Sequence, residues 1–114
     1  PHLVPMNRGE YLTSYCKLQA GKNVKDLHDC LIRAYADEPF IIVRDINDVP
    51  ASRHVRGSNY CHISVLNDRI AGRAIVIATL DNLVKGSGGQ GIQNMNIMMG
   101  FAQTCGLEQL PLTP

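Results

Sequence analysis

Alternation of apolar and other residues predicts β-strands in several parts of the chain. In the segment YLTSYCKL, Leu12, Cys16 and Leu18 fall on one face, which is the period-two pattern of a strand with one buried face. Further strands are predicted in the runs FIIVRD (40–45), YCHISVL (60–66) and GRAIVIATL (72–80). The last run is the most apolar, so we expect it at the centre of a sheet.

A helix is predicted between the first two strands. Asn23 is well placed as an N-cap, and Asp26 three residues later favours a capping box. Apolar residues from Val24 to Tyr35 then recur at helical spacing, and Pro39 ends the pattern. The expected element is an amphipathic helix of about three turns.

The last predicted element is a second helix, which follows the central strand through a glycine-rich turn at 85–89. Ile92, Met95 and Met99 recur at helical spacing. They place the start of the helix at about Gln90. The order of elements predicts an α+β domain in which helices cover one face of a mixed, mainly antiparallel sheet.

Composition supports a single folded domain. The chain has 114 residues, of which 45% are hydrophobic and 18% charged, enough apolar material for one core. A net charge of +1 with scattered basic residues argues against nucleic acid or membrane partners. With no membrane-span or secretory-signal pattern, we expect a cytoplasmic protein, or a plastid protein in a plant. Because the chain starts at Pro1, we expect a piece of a longer protein.

The four cysteines form no CxxC pair, so neither a zinc site nor a redox motif is predicted. We interpret them as buried, reduced, structural thiols. Cys61 stands beside His62, but adjacent strand residues face opposite sides of a sheet, so this pair is not expected to act as nucleophile and base. The chain therefore has no predicted catalytic or metal-binding residue.

The polar segment INDVPASRHVRGSN (46–59) is predicted to be a loop. Loops of more than about 12 residues within compact domains are uncommon and often functional. The loop residues that can contact a ligand are Arg53, His54, Arg56 and Asn59.

The glycine-rich turn and the helix after it carry the ligand-binding signal. A helix N-terminus preceded by Lys85 favours anions, although neither a P-loop nor a GxGxxG motif is present. Carboxamides cluster at Gln90, Gln93, Asn94 and Asn96. A carboxamide is complementary to another carboxamide, such as that of nicotinamide. The alternative, that these side chains cap loops within the domain, stays open.

The runs PHLVPMNRG, HVRGSNYCHISV and DNLVKGSGGQGIQNMNIMMGF resemble the C-terminal part of the N-acetyl-gamma-glutamyl-phosphate reductase family. The likeness extends from Pro1 to about Pro111, and aspartate-semialdehyde dehydrogenases are similar more distantly. The resemblance implies an NADPH-dependent oxidoreductase of arginine biosynthesis. Its Rossmann domain binds NADP, and its second domain, of the glyceraldehyde-3-phosphate dehydrogenase type, supplies the nucleophile and the dimer interface.

The resemblance also implies roles for residues of the last helix and the turn before it. Gln90 is expected to contact the nicotinamide carboxamide, with Asn94 as a second contact. Lys85 and Gly86 are expected to shape the loop at the cofactor. This chain would therefore bind only the nicotinamide end of NADP.

Substrate contacts are implied at the other matching runs. Arg8 is expected to hold a carboxylate or phosphate of a small acyl phosphate, and His54 and Arg56 are further candidates. The catalytic cysteine, the acid–base histidine and the whole Rossmann domain lie outside this chain, so we expect the isolated chain to be inactive and to form oligomers through its sheet. The alternatives are a reductase of amino-adipyl or aspartyl phosphate, and a stand-alone dimerisation or binding module.

Overall fold

A computed structural model describes residues 1–2 and 4–112 of the chain. The β-strands and α-helices of these residues follow the order that the sequence predicts. The elements are β1 (Glu10–Lys17), α1 (Val24–Ala34), β2 (Ile41–Val43), β3 (Cys61–Asn67), β4 (Arg73–Leu80) and α2 (Gly89–Met98).

The strands form a sheet in the order β1-β4-β3-β2. Strand β4 pairs antiparallel with β1 and β3, whereas β2 pairs parallel with β3. The predicted mixed, mainly antiparallel sheet is confirmed, and β4 lies inside it as expected. The predicted strand FIIVRD is shorter than expected, because the chain turns at Asn47, which has a positive φ of 66°.

Helix α1 begins where the sequence places it. The side chain of Asn23 accepts a hydrogen bond from the Asp26 N–H at 3.1 Å, and the Asp26 carboxylate accepts one from the Asn23 N–H at 2.9 Å. This reciprocal pair is the predicted capping box. The helix contacts β3 and β2 and therefore covers one face of the sheet.

The core lies between α1 and that face. Val65 and Ala74 are fully buried there and form a cluster with Val24, against which Leu27 and Leu31 of α1 pack. Ala74 pairs with Cys16 of β1, so the face predicted to be buried in β1 does point toward α1. Period-two alternation thus identified the correct side of the strand.

The long loop between β2 and β3 is packed against the domain. It contains a 3₁₀ turn at Ser52–His54, and Pro50, Val55 and Ser58 are buried. The His54 ring lies 6.1 Å from that of His62, on the sheet face opposite α1. The loop therefore forms a wall over the end of that face.

Helix α2 exists as predicted, but the residues that revealed it do not face the core. Ile92, Met95 and Met99 are 43%, 51% and 67% exposed. The buried side carries Gln93 and Asn96 instead. This buried side of the helix packs against polar groups of neighbouring loops. The hydrophobic residues that recur at helical spacing lie on the opposite side, which the described residues leave uncovered.

The interpretation of all four cysteines as buried is wrong. Cys61 is buried and Cys16 is half-buried, whereas Cys30 and Cys105 are exposed; all four are free thiols. Cys30 lies on α1, where it lines a cavity together with Cys16 and Leu18, and Cys105 lies in the segment after α2. Burial raises the pKa of the Cys61 thiol, with Lys85 acting in the opposite direction, as expected of an unreactive thiol.

Replacing Asn23 with alanine removes the capping acceptor of α1. We expect Asn23→Ala to lower the free energy of unfolding by about 1 kcal/mol, as measured by urea unfolding of the full-length protein. Asn23→Ser is the matched control, because serine is an equally good N-cap. Equal unfolding midpoints for the wild type and Asn23→Ala would contradict this assignment.

Candidate functional site

The site is built where β4 ends and the chain turns into α2. Asp81 follows β4 directly, and its Oδ1 accepts hydrogen bonds from the N–H groups of Leu83 and Val84 at 2.8 and 3.0 Å. Its carbonyl oxygen accepts the N–H of Gly86 at 2.9 Å. These bonds fix a π-helical turn at Val84–Gly88 that leads into α2.

The second carboxylate oxygen of Asp81 binds two other segments. Its Oδ2 accepts the Gly57 N–H at 2.6 Å and a hydrogen bond from Arg8 Nη1 at 3.1 Å. The carboxylate is fully buried. Burial alone would raise the pKa of Asp81, but the three backbone N–H groups and Arg8 outweigh it and hold the pKa below its ordinary value.

A network of carboxamides lies under the first turns of α2. Gln93 Oε1 accepts hydrogen bonds from Lys85 Nζ at 2.7 Å and from Asn59 Nδ2 at 3.0 Å, and Gln93 Nε2 donates to Gln103 Oε1 at 2.9 Å. Asn96 Nδ2 donates to the carbonyl of Cys105 at 2.9 Å. For Gln93 and Asn96 the alternative left open by the sequence holds, since both tie loops to the domain.

The other two carboxamides remain on the outer side of the helix. Gln90 Nε2 donates to Asn94 Oδ1 at 2.9 Å, on an exposed surface, as their spacing of four residues predicts. Among residues 1–2 and 4–112, the side-chain oxygen Oε1 of Gln90 accepts no protein hydrogen bond. Gln90 therefore retains an acceptor and a second N–H donor for a ligand.

A broad cavity of about 770 Å³ contains Gln90 and Lys85. Its wall combines aromatic and aliphatic side chains with amides, and the Lys85 ammonium lies 5.8 Å from the centre of the Phe40 ring. Burial lowers the pKa of Lys85, while Cys61 and Glu38 act in the opposite direction. The other residues that line the cavity are Tyr35, Glu38, Ile41, Gln93, Ile97, Gly100, Phe101 and Gln103.

Gly86 has a structural reason to be glycine. A Cβ on Gly86 would lie 3.1 Å from Leu80 Cδ1 and 3.4 Å from the carbonyl oxygen of Asp81. These contacts are tight, so the turn is packed against the end of β4. The geometry is compatible with the predicted role of Gly86 in shaping the loop, which remains a prediction.

A second cavity, of about 290 Å³, brings arginines together. It is lined by Met6, Asn7, Arg8, Ser52, Arg53 and Arg56. The N-terminal stretch approaches the 3₁₀ turn closely here: Gly9 has a φ of +106°, and a Cβ on it would lie 2.7 Å from Ser52 Cβ. We call these residues the arginine cavity.

His54, the remaining predicted substrate residue, does not line the arginine cavity. Its Nδ1 accepts the Ala51 N–H at 3.3 Å, so it stabilises the 3₁₀ turn. Its neighbour His62 is buried, and burial, followed by the charges of Arg44 and His54, lowers the pKa of His62. The structure thus brings Arg8 and Arg56 together and leaves His54 beside them.

Asp81 was not singled out by the sequence, whereas Arg53 and Gln93 were named only as members of wider sets of candidates and were given no role. Asp81 stands directly after an apolar strand and before a turn, where an Asp that caps the turn is common. This signal was available in the sequence. The inward orientation of Gln93 was not, because it depends on the phase of the helix after the π-helical turn.

The described residues contain neither a metal-binding cluster nor a membrane-spanning helix. Residues 1–2 and 4–112 contain no cluster of three or more His, Cys, Asp or Glu side chains placed to hold a metal ion. No helix in this part of the chain has the length and apolar character needed to cross a membrane.

A mixed sheet with α1 on one face and a strand, glycine-rich turn and helix at its end defines the class of the protein as an α+β domain. The family model described as "Semialdehyde dehydrogenase, dimerisation domain" matches residues 1–82. The chain therefore belongs to this family, and the fold class predicted from the sequence is confirmed.

The chain is also similar over its whole length to proteins named as N-acetyl-gamma-glutamyl-phosphate reductases. It is 53% identical to that of Afipia carboxidovorans over 113 residues, which are 99% of this chain and 32% of the relative. It is 54% identical to that of Ruegeria pomeroyi, covering 100% of this chain and 32% of the relative.

A plant protein matches equally well. The Arabidopsis thaliana protein named "Probable N-acetyl-gamma-glutamyl-phosphate reductase, chloroplastic" is 53% identical over 114 residues, which are 100% of this chain and 28% of the relative. The chain thus spans about a third of the length of the curated relatives it matches. The resemblance seen in the sequence runs is confirmed.

Two glycines of α2 provide a sharp test of the packing described above. A Cβ on Gly89 would contact Asn59 Oδ1 and lie 2.7 Å from Val84 Cγ1, whereas one on Gly91 would meet no atom of the described residues within 4 Å. We expect Gly89→Ala to destabilise the full-length protein by about 1–3 kcal/mol, measured by urea unfolding.

Gly91→Ala is the matched control in the same helix. We expect it to be neutral or to stabilise by up to about 1 kcal/mol, because alanine favours helix more than glycine does. Equal effects of the two substitutions would show that α2 does not pack on Asn59 and Val84 as described.

Proposed function

We propose that the full-length protein is an NADPH-dependent N-acetyl-gamma-glutamyl-phosphate reductase, an oxidoreductase of arginine biosynthesis. The observation that carries this proposal is that relatives of that name match the whole chain at 53% or 54% identity. In this reaction a cysteine thiolate attacks the acyl phosphate, phosphate leaves, and the resulting thioester is reduced to an aldehyde. The resemblance assigns that cysteine and the acid–base histidine to segments outside this chain.

The chain supplies the groups that orient the nicotinamide. NADPH supplies the hydride when bound. The exposed Gln90 carboxamide, which has a free acceptor and a free N–H among the described residues, is complementary to the nicotinamide carboxamide. Asn94 holds Gln90 in place through their mutual hydrogen bond. Lys85 and Gly86 shape the turn below the ring.

The arginine cavity binds the anionic substrate in this proposal. An acyl phosphate carries a phosphoryl group, and a guanidinium can bind two oxygens of a phosphate or carboxylate at once through two parallel N–H···O hydrogen bonds. Arg8 and Arg56 were expected in this role, and Arg53 joins them in the same cavity. His54, the other candidate, supports the 3₁₀ turn that carries Arg53.

The exposed apolar face of α2 is the surface on which we place the NADP-binding Rossmann domain. Ile92, Met95, Met98 and Met99 are between 43% and 83% exposed, and such apolar clusters usually mark contacts with another domain or protein. The relatives are about three times as long as this chain, which leaves room for that domain. On this proposal, the isolated chain is inactive because it lacks both the cofactor domain and the nucleophile.

Oligomer formation through the sheet accompanies this function. The sheet face opposite α1 leaves Tyr15 63% exposed, with the Arg73 guanidinium 4.9 Å from the centre of its ring. A second copy of the chain would cover this surface, which agrees with the name of the family. We place the enzyme in the cytoplasm, or in the plastid when it comes from a plant.

The proposed role of Gln90 is tested by a length-preserving substitution. Gln90→Met removes the hydrogen-bonding groups, and we expect the KM for NADPH to rise about three- to tenfold, the loss of one or two hydrogen bonds. The measurement is the initial rate of NADPH oxidation by the full-length enzyme with N-acetyl-gamma-glutamyl phosphate.

Gln19→Met is the control for this change. Gln19 is exposed in the turn after β1, at the end of the sheet away from Asp81. We expect it to leave both Michaelis constants unchanged. A wild-type enzyme without activity on this substrate, but active on aspartyl or amino-adipyl phosphate, would replace the proposed reaction with one of those alternatives.

The arginine cavity is tested separately. Arg56→Gln removes one cation, and we expect the KM for the acyl phosphate to rise about tenfold or more, because charge-assisted bonds to phosphate are stronger than neutral ones. Arg69→Gln, in the hairpin at the opposite end of the sheet, is the matched control with an unchanged KM. If both variants raise the KM equally, the effect is general electrostatic attraction rather than binding in the cavity.

A further inference from the structure

We propose that Asp81 is a positioning residue that holds the substrate-binding and nicotinamide-binding halves of the site in a fixed relation. This inference rests on the proposed function, since it assigns Arg8 to the substrate and Gln90 to the cofactor. Asp81 touches neither ligand and acts through the segments that its carboxylate binds.

The two oxygens of the carboxylate serve different halves of the site. Oδ1 accepts the N–H groups of Leu83 and Val84, and so it fixes the turn that carries Lys85 and leads to Gln90. Oδ2 accepts the Gly57 N–H and Arg8 Nη1.

Arg8 lines the arginine cavity, and Gly57 directly follows Arg56, which is another residue of the cavity wall. One side chain therefore connects the walls of both cavities.

The pairing with Arg8 also determines how that arginine meets a ligand. Arg8 is about one-third exposed, whereas its partner Asp81 is fully buried. The bond at Nη1 anchors one end of the guanidinium. Its remaining N–H donors have no acceptor within residues 1–2 and 4–112, so they can meet a ligand at the arginine cavity. Because a fixed guanidinium loses less entropy when it binds an oxyanion, the anchor favours substrate binding.

A purely structural role for Asp81 makes a different prediction. Buried ion pairs are often no more stabilising than apolar packing, and a residue that only stabilises the fold would change the unfolding midpoint without changing either KM selectively. Substitution of a positioning residue raises the KM of one ligand, namely the ligand whose binding segment has lost its hydrogen bonds to Asp81.

The substitution Asp81→Asn tests the substrate half and the nicotinamide half of the site separately. In Asp81→Asn with the side-chain oxygen in the place of Oδ1, that oxygen accepts the N–H groups of Leu83 and Val84, whereas the new NH₂ group faces the N–H of Gly57 and the guanidinium of Arg8, which are also donors. In this orientation the turn persists while Arg8 loses its anchor. The opposite orientation keeps the anchor and releases the turn, and it would raise the KM for NADPH instead, which supports the positioning role equally.

The experiment compares steady-state kinetics of the full-length wild-type enzyme and its variants. We expect Asp81→Asn to raise the KM for the acyl phosphate about tenfold or more and to change the KM for NADPH by less than about twofold. Asp81→Ala removes both carboxylate oxygens and should raise the KM for the acyl phosphate and the KM for NADPH. In Arg8→Gln, the further change Asp81→Asn should have little additional effect on the substrate KM, because the two residues act as one unit.

Asp68→Asn is the matched control. The side chain of Asp68 is 3% exposed, pairs with Arg73 and accepts the Ile70 N–H at 3.2 Å, so it also combines a guanidinium with a backbone donor, at the far end of the sheet. We expect it to lower the unfolding midpoint without moving either KM. If Asp81→Asn behaves in the same way, the positioning role is overturned and the proposed function stands.

The remaining outcomes are also decisive. A wild-type enzyme that reduces no acyl phosphate contradicts the proposed function on which this inference rests. If Asp81→Asn does not fold, Asp81→Glu takes its place, because glutamate keeps the charge and both acceptor oxygens but moves them by one methylene group. A selective rise in one KM supports the positioning role, and two unchanged Michaelis constants overturn it.

Discussion

A carboxylate that is completely removed from water must be surrounded by donors, or it destabilises the fold. Asp81 meets this constraint at the end of β4 by collecting three backbone N–H groups and one guanidinium. These donors come from the N-terminal stretch, the long loop and the turn before α2. The requirement of one buried charge therefore brings together three segments that are distant in the sequence. Both cavities lie next to this point, and their walls depend on it.

Much of the sheet could be predicted from the sequence because its signals are local. Period-two alternation identified the inner face of β1, and the apolar character of 72–80 identified β4 as an internal strand. The capping box at Asn23 is a contact between residues three positions apart, so the sequence contains all of it. The family resemblance also rested on contiguous runs, and the comparisons confirmed it.

The site could be predicted only in part, because its geometry depends on contacts between distant segments. Helical spacing of Ile92 and Met95 located α2 but not its buried side, since a periodic pattern does not say what covers it. Of the clustered carboxamides, Gln93 turns inward because Asn59, from a loop 34 positions earlier, meets it there. No local pattern encodes such a pair. Likewise, only the folded loop places Arg53 beside Arg8.

The π-helical turn at Val84–Gly88 limits how this protein can change in evolution. In a helix each residue adds about 100° of rotation, so losing or gaining one residue in the turn would rotate all of α2. Loss of one residue would put Asn94 in the place of Gln93 and Gln90 in the place of Gly89, where even a methyl group has no room. The identities of the exposed Ser87 and Gly88 are free to drift. The number of residues in the turn is constrained, because it sets the rotation of α2. We therefore expect gaps in an alignment of relatives to avoid this stretch.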